Sequence, residues 1–319
     1  MGEGNTASCL PEAFVDRLRA TLPAARVGAA LASFDAEKPT SFRVNTLKAQ
    51  PSEVAALLRE AGLTPSPVPG IDSAFTVPPE QRSALTQSAL VSDGRVYIQG
   101  VASMLAPLAL DAQPGESVLD LCAAPGGKTL MLAAMMRNAG VLNAVEPGKT
   151  RFFKLRANLE RGGATMVKTY HTDGRSVGRK TPGRFDRVLV DAPCAGEAMF
   201  TTRDPASYAD WSEKKVRRCA RVQKALLRAA LAAVRPGGVV LYCTCSMSVA
   251  ENEGVVAHTL AKLGDAVAAE TLPGLPAQTM PALTAWRGKS LPEAVGRGVR
   301  VLPTAEHDAF FLMLLRRVL

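Results

Sequence analysis

The sequence is short of several features that would fix a function at once. Histidine occurs three times, and the six cysteines form no repeated C-x-x-C, so a structural zinc has no ligand spacing to stand on and no metal is expected. Aromatic residues make up only 5% of the 319 positions, which removes a broad stacking platform as the main means of gripping nucleic acid. No apolar run approaches ~18 residues, so no membrane-spanning helix is expected. The opening "MGEGNTASCLPEAF" lacks a basic segment followed by an apolar one, so it does not read as a secretory signal. The thiols (Cys9, Cys122, Cys194, Cys219, Cys243 and Cys245) are accordingly expected to be reduced, in a cytoplasmic protein. G-x-G-x-x-G is absent. A phosphate loop is incomplete, because Cys122 stands where G-x-x-x-x-G-K-[ST] needs its first glycine; a nucleoside triphosphatase is disfavoured.

What is present is a positive excess and an α/β pattern. The net charge of +9 favours a polyanionic partner, nucleic acid before a membrane surface. The apolar fraction of 47% and charged fraction of 21% are those of a folded globular chain, long enough for one large domain or two. Residues 1–92 read as a small mixed unit. Within it, Pro11–Leu31 carries Phe14, Leu18, Leu22 and Val27 at roughly helical spacing, and "SFRVNTL" alternates as a strand. Pro51–Arg59 reads as a helix closed by Gly62, "TPSPVPG" as a proline-broken connection, and "VPPEQRSALTQSAL" as a loop with a short turn. In residues 93–319, short apolar runs alternate with helices: Ser117–Leu121, Val141–Val145, Met166–Tyr170, Arg187–Asp191 and Val239–Thr244. That alternation predicts a parallel sheet covered on both faces. The closing "RGVRVLP" and "HDAFFLMLLRR" predict an antiparallel hairpin at the sheet edge.

In such a sheet, ligands bind at the carboxyl ends of the strands, and most of the chemically versatile residues fall there. "VLDLCAAPGGKT" is a strand, a glycine-rich turn and a helix start, so Cys122, Ala123, Ala124, Pro125, Gly126, Gly127 and Lys128 can let a ligand approach backbone N–H groups. Glu146 ends the second strand, with Arg151 in the next helix; it reads either as an acceptor for ribose hydroxyls or as a solvated loop glutamate. Asp173–Gly174 is either a simple turn or an acceptor for an adenine amino group. In "DRVLVDAPCAG", Pro193 fixes the loop so that Asp191 and Cys194 can face the cleft, although Cys194 also reads as a small core residue. Alternation puts Cys243 and Cys245 on one side of their strand, with Cys243 inside the sheet and Cys245 at or past its end. Lys214–Arg228 carries a basic stripe, either a solvated face or a phosphate contact.

Taken together, "FRVNTLK", "IQGVASM", "DLCAAPGGKT", "DAPCAGE", "RPGGVVLYCTCS" and "ENEGVV" resemble the RNA cytosine-5 methyltransferases of the Fmu/Sun group, which includes the bacterial RsmB/RsmF-type ribosomal RNA enzymes. The resemblance runs from about residue 11 to the C-terminus, and "DGRSVG" and "RDPASYADWS" look closest to the RsmF type. It implies a class I methyltransferase fold, Rossmann-like, with a seven-stranded, mostly parallel sheet and a small N-terminal α/β domain. The domains are expected at 1–92, contacting RNA, and 93–319, carrying the chemistry. Larger members have a C-terminal RNA-binding domain, which is not expected within these 319 residues.

The same resemblance implies S-adenosylmethionine as cofactor. Cys122–Lys128 would wrap its methionine and ribose end, Glu146 would hold the ribose hydroxyls with Arg151 nearby, and Asp173 and Gly174 would contact adenine. Asp191 would sit between cofactor and target base, Cys245 would be the nucleophile, and Cys194 would be needed for product release. Such chemistry is sensible, because a thiolate added to carbon 6 of cytosine makes carbon 5 nucleophilic. Lys128 and the helix N-terminus add positive potential that favours the thiolate. The target nucleotide must be unstacked. The chain departs from the pattern at Glu146, Ala195 and Ala309, where Asp, Ser and Gly are more usual. A monomer acting on ribosomal RNA of the small subunit is expected. The alternatives are a transfer RNA methyltransferase, a non-catalytic RNA-binding assembly factor and, more distantly, a DNA cytosine methyltransferase, which the second cysteine argues against.

Overall fold

The computed structural model describes residues 9–319, so the secretory-signal reading of Met1–Ser8 lies outside the described residues. The helical run expected over Pro11–Leu31 is broken in two, α1 (Glu12–Thr21) and α2 (Ala24–Ser33). Pro23 has no N–H to continue the first helix, and it begins the second with φ −54° and ψ 139°. Phe14, Leu18, Leu31 and Phe34 bury against Ala198, Phe200 and Met247. These helices therefore pack on the larger half of the molecule, not on the small sheet that follows them.

That sheet is antiparallel, in the order β2–β3–β1–β4: β1 (Thr40–Val44), β2 (Ser66–Pro67), β3 (Ala74–Val77) and β4 (Val96–Ile98). Phe42 and Phe75 sit opposite each other and stack at 5.7 Å. Val54 and Leu58 of α3 (Pro51–Glu60) close over the same core. The connection "TPSPVPG" contributes β2, and the presumed loop 77–90 forms short helical turns at Pro79–Gln81 and Arg82–Thr86. The small sheet takes β4 from beyond residue 92, where the division was expected.

The larger sheet is built from β5 (Ser117–Asp120), β6 (Val141–Val145), β7 (Val167–Tyr170), β8 (Phe185–Asp191), β9 (Val234–Thr244), β10 (Val267–Glu270), β11 (Thr279–Pro281), β14 (Val299–Val301) and β15 (Phe310–Arg317). A separate hairpin pairs β12 (Ala285–Trp286) with β13 (Lys289–Ser290). Strands β7–β6–β5–β8–β9 run parallel, and β15 is antiparallel to β9. β10 and β14 both pair with the far edge of β15, and β11 pairs with β14. The sheet thus has nine strands, a correction to the expected seven. β14 and β11 are the additions, because the chain after β10 folds back along the first half of β15 instead of leaving that edge open. For the same reason β15 lies inside the sheet, not at its edge.

Alternation explains the two-sided burial. On β9, Val239, Leu241 and Cys243 face the core under α4 (Val101–Leu110), α5 (Gly127–Met135) and α6 (Lys149–Arg161). Val240 and Tyr242 face the opposite core, under α7 (Glu213–Ala233) and α8 (Glu253–Leu263). Strand-to-helix order puts the carboxyl ends of β5, β6, β8 and β9 along one edge.

The two sheets are joined by buried polar contacts. Arg43 of β1 is 1% exposed; its Nε donates to Gln99 Oε1 at 2.9 Å and its Nη2 to the Gly127 carbonyl at 3.0 Å. Burial pushes this guanidinium down to about 10, with the Tyr97 hydroxyl opposing. Asn45 Nδ2 donates to the carbonyls of Gly94 and Gly162. Arg43→Met leaves Gln99 Oε1 and the Gly127 carbonyl without this donor and should destabilise the protein by about 2–3 kcal/mol. Denaturant unfolding with an unchanged midpoint would refute it.

Candidate functional site

Two cavities open along the carboxyl edge of the large sheet. One, of about 470 Å³, is bounded by Glu146, Arg151, Asp173, Gly174 and Cys194. The other, of about 320 Å³, is bounded by Gln99, Pro125, Lys128, Met199 and Phe310. Cys122, Asp191 and Cys245 line both, so they form the wall between them. Ligands in the two cavities would both touch these three side chains.

The two cysteine loops leave adjacent parallel strands. Asp191 of β8 and Cys243 of β9 are in register, and the chain continues two or three residues to Cys194 and Cys245. The Ala198 N–H donates to the Cys245 carbonyl at 3.0 Å, which binds one loop to the other. Cys194 Sγ and Cys245 Sγ lie 2.9 Å apart as free thiols. The hydrogen bond to Cys245, and after it burial, pushes Cys194 well above the usual thiol range. Cys194 therefore favours its protonated form, and either sulfur can donate to the other. Cys243 is buried in the sheet, as alternation predicted, and its Sγ donates weakly to the Val190 carbonyl and Asp191 Oδ1, both at 3.7 Å.

Lys128 Nζ donates to Asp191 Oδ2 at 2.8 Å and lies 5.4 Å above the Phe310 ring. Burial alone would lower Lys128, but Asp191, with Cys243 and Cys245, outweighs it and holds the ammonium above its ordinary range. The lysine is therefore charged beside Cys245.

The loop 122–128 starts from β5 and is anchored at both ends. Thr129 Oγ1 donates to Asp120 Oδ2 at 2.7 Å, and the Cys122 N–H points to Asp120 Oδ1 at 3.4 Å. Gly126 turns the chain at φ +112°, and a side chain on Gly127 would lie 2.8 Å from the Tyr97 ring. The Ala123 N–H is taken up by the Val145 carbonyl, and the Ala124 carbonyl accepts from Arg151 Nη2 at 2.7 Å. Ala123, Ala124, Pro125, Gly127 and Lys128 face the smaller cavity. Burial, followed by the charges of Asp120, Asp191 and Glu146, pushes the Cys122 thiol well up, so it stays neutral.

Glu146 is 2% exposed and not a solvated loop residue. Its Oε1 accepts from the Gly148 N–H at 2.8 Å, and its Oε2 is 3.7 Å from Arg151. Its remaining acceptor positions suit a pair of hydroxyls. Gly174 has no room for a side chain, since a Cβ would lie 2.9 Å from the Leu121 carbonyl and from Leu226. Asp173 is placed at the cavity rim, but Arg175 holds both its oxygens in a fork at 2.5–3.0 Å and keeps it below the usual carboxylate range. An amino group reaching Asp173 must compete with Arg175.

Three groups near the site were missed in the sequence. Asp120 is 1% exposed and lines the smaller cavity; burial pushes it up to about 6, against the Thr129 hydrogen bond. Arg43 and Gln99 support the loop from the small sheet. Their only signal was position: Asp120 directly precedes the glycine-rich turn, and Arg43 and Gln99 stand in "FRVNTLK" and "IQGVASM".

Comparison with known proteins agrees with this geometry. Residues 107–316 match the family described as 16S rRNA methyltransferase RsmB/F, and residues 10–101 match the N-terminal domain of 16S rRNA methyltransferase RsmF. The chain is similar to ribosomal RNA small subunit methyltransferase F of Vibrio vulnificus, 38% identical over 270 residues, covering 83% of this chain and 57% of that protein. It is also similar to a 28S rRNA (cytosine-C(5))-methyltransferase of Mus musculus, 39% identical over 229 residues, covering 70% of this chain and 29% of that one. The chain thus spans little more than half the length of the bacterial relative. Among solved structures, a methyltransferase homologue from Pyrococcus horikoshii superposes with a TM-score of 0.84 at 31% identity, over 98% of each chain.

The charge of Lys128 beside Cys245 has a measurable effect. Lys128→Met removes the cation and leaves Asp191 uncompensated, so alkylation of Cys245 by iodoacetamide at pH 7 should slow on the order of tenfold. Peptide-resolved mass spectrometry measures it, and an unchanged rate would take Lys128 out of the thiol's field.

Proposed function

The chain belongs to the 16S rRNA methyltransferase RsmB/F family, and we propose from that membership that it methylates carbon 5 of a cytosine in ribosomal RNA, with S-adenosylmethionine as methyl donor. The observation that supports the reading best is the apposition of Cys194 and Cys245 at 2.9 Å on the wall between two cavities.

The larger cavity fits the cofactor. Its volume lies in the range of small-molecule sites, the buried Glu146 offers acceptors to ribose hydroxyls, and Gly174 leaves a flat wall for a ring. Cys122 and Arg151 would hold the methionine end from within this cavity, with Asp173 at the rim, while Ala123–Pro125, Gly127 and Lys128 line the smaller cavity on the other side of Cys122. The cofactor supplies an electrophilic methyl group. The unstacked cytosine would occupy the smaller cavity, where Phe310 and Lys128 form one wall.

Cys245 then adds as thiolate to carbon 6 and pushes electron density onto carbon 5 and ring nitrogen 3. The proton shared between Lys128 Nζ and Asp191 is the one available to nitrogen 3, where charge builds. Once Cys245 Sγ is bonded to carbon 6, it no longer engages Cys194 as it does at rest. The interaction that contributes most to raising Cys194 is then gone. Cys194 can lose its proton to water and take the hydrogen from carbon 5. The carbon 5–carbon 6 double bond re-forms, Cys245 leaves as thiolate, and nitrogen 3 returns its proton to the Lys128–Asp191 pair.

For the RNA itself we propose two surfaces. One is the small N-terminal unit, with its boundary placed after β4 rather than at residue 92. The other is a groove between α7 and α8 lined by Arg221, Lys224, Arg228, His258 and Lys262. None of these five forms an ion pair among the described residues. Burial and the cations Lys224, Lys262 and Arg228 depress His258, as expected of an unneutralised positive groove. The reading includes a monomeric enzyme in the cytoplasm, where thiols stay reduced.

Cys245→Ala should lose activity by at least ~10³-fold and form no covalent adduct. Cys194→Ala should accumulate a protein–RNA adduct that survives a denaturing gel. Bisulfite sequencing of ribosomal and transfer RNA from a deletion strain identifies the substrate; methylation missing only from transfer RNA would reject the ribosomal assignment. The double substitution Lys224→Ala and Arg228→Ala should lower the slope of log affinity against log salt by about 0.7–0.9 per lost phosphate contact. An unchanged slope removes the groove from the interface.

A further inference from the structure

The segment "ENEG" at the start of α8 lies beneath the reactive loops, with Glu251, Asn252 and Glu253 all fully buried. Glu251 reaches both loops, one residue past each cysteine. Its Oε1 accepts from the Ala195 N–H at 2.9 Å and from Gln223 Nε2 at 3.1 Å. Its Oε2 is 2.5 Å from Ser246 Oγ.

Counting protons at Ser246 gives the state of this carboxyl. Ser246 Oγ meets Glu251 Oε2 at 2.5 Å and Glu197 Oε2 at 3.1 Å, and it accepts from the Ser248 N–H at 3.1 Å. A hydroxyl has one proton and two acceptor positions. It can donate to only one of two carboxylates, so the other contact requires a proton from the carboxyl. Glu197 is already supplied with donors: the Met247 N–H at 3.0 Å, Trp211 Nε1 at 2.9 Å and the Arg17 guanidinium. No described cation pairs with Glu251, and its Oε1 faces two neutral N–H donors. The proton therefore sits on Glu251 Oε2, Glu251 donates to Ser246, and Ser246 donates to Glu197.

We infer that Glu251, carrying this proton, is a positioning residue that sets the separation of Cys194 and Cys245 by holding Ala195 through one oxygen and Ser246 through the other. The inference rests on reading those two thiols as the reactive pair. Burial pushes Glu251 up to about 7, and the Glu197 charge adds to it, against the bonds that Ser246, Ala195 and Gln223 would give its ionised form. The other titratable groups facing it keep their protons at neutral pH. Cys219 on α7 is pushed up to about 11, chiefly by burial, and Tyr242 on β9 and Cys194 stand well above their ordinary values. Because Glu251 sits above its ordinary 4.5 in the folded protein, its contribution to stability is complete below that value and is lost as pH rises through about 7. Deprotonation leaves two carboxylates competing for one hydroxyl and loosens the hold of Glu251 on Ser246, one residue past Cys245.

Phenylarsine oxide tests this without RNA or cofactor, since its arsenic bonds both thiols of a close pair and releases one water. Binding to the full chain is measured by titration at pH 6 and pH 8.5, with the signal of a Cys194→Ala protein subtracted. Glu251→Gln keeps an N–H for Ser246 and an oxygen for Ala195 but has no proton to lose. It should bind within about threefold of wild type at pH 6 and about tenfold more tightly than wild type at pH 8.5. The melting temperature of wild type should fall relative to Glu251→Gln over the same range. Glu251→Ala should bind at least about tenfold more weakly at both values. A constant ratio between wild type and Glu251→Gln across pH, or a glutamine variant as impaired as alanine at pH 6, would overturn the inference. Since no methyl transfer is involved, its failure is distinguishable from failure of the methylation reading.

Discussion

Asp191 and Cys243 face each other across a parallel pair of strands, and the reactive centre takes its shape from that register. Parallel strands end together, so a loop leaving β8 and a loop leaving β9 start about 5 Å apart on one edge. Pro193 turns the first loop and the strand's own alternation turns the second. Cys194 and Cys245 meet although 51 residues separate them. A slip of one residue in the β8–β9 pairing would send Cys245 to the other face of the sheet and Cys243 out of the core. Side-chain fit, not polarity, opposes it, since Leu189 and Leu241 are packed in one core while Val188, Val190, Val240 and Tyr242 are packed in the other.

The same edge must be completed from outside the sheet. The loop 122–128 is rigid at its ends through Asp120, Thr129 and Arg151, yet its middle leans on the small sheet through Arg43 and on Tyr97 beside Gly127. The smaller cavity takes Gln99 and Tyr97 from that side and Phe310 from β15. The N-terminal unit is thus a structural part of the site. This explains why β4 belongs to the small sheet while the next residues, Gln99 and Gly100, already line the cavity.

Much of this was legible in the sequence where periodicity and strand ends carry the information. Alternation alone assigned Cys243 to the core and Cys245 to the edge, and strand ends collected Glu146, Asp173, Asp191 and Cys194 at one rim. What periodicity cannot show is which buried polar groups find each other. Arg17 meets Glu197 across 180 residues, and Arg300 meets Glu253 across 47. Read singly, each is a charged residue in a helix or strand and suggests a solvated surface. Of the two extra strands, β14 falls within "RGVRVLP", whose pairing with the closing strand was expected, whereas β11 is three residues long and too short for a period to register. The break at Pro23 was visible as a proline, but the apolar spacing on either side continued through it.

Those buried charges are costly to desolvate, and an apolar cluster of equal volume would serve stability as well or better. Their value lies in direction. Apolar side chains would fill the space beneath the cysteine loops without fixing them, because dispersion forces tolerate small displacements. Hydrogen bonds to the Ala195 and Met247 N–H groups and to the Met247 carbonyl hold the backbone itself, one or two residues from each thiol. Asn252 adds the same constraint from the other side, accepting from Thr244 Oγ1 at 2.6 Å and donating to the Ser246 carbonyl at 2.8 Å. Cys245 is therefore bracketed: Thr244 before it and Ser246 after it are both held by the first turn of α8. If Cys245 is the nucleophile proposed above, reaching a carbon atom within a few tenths of an ångström needs that bracket more than the fold needs the extra stability.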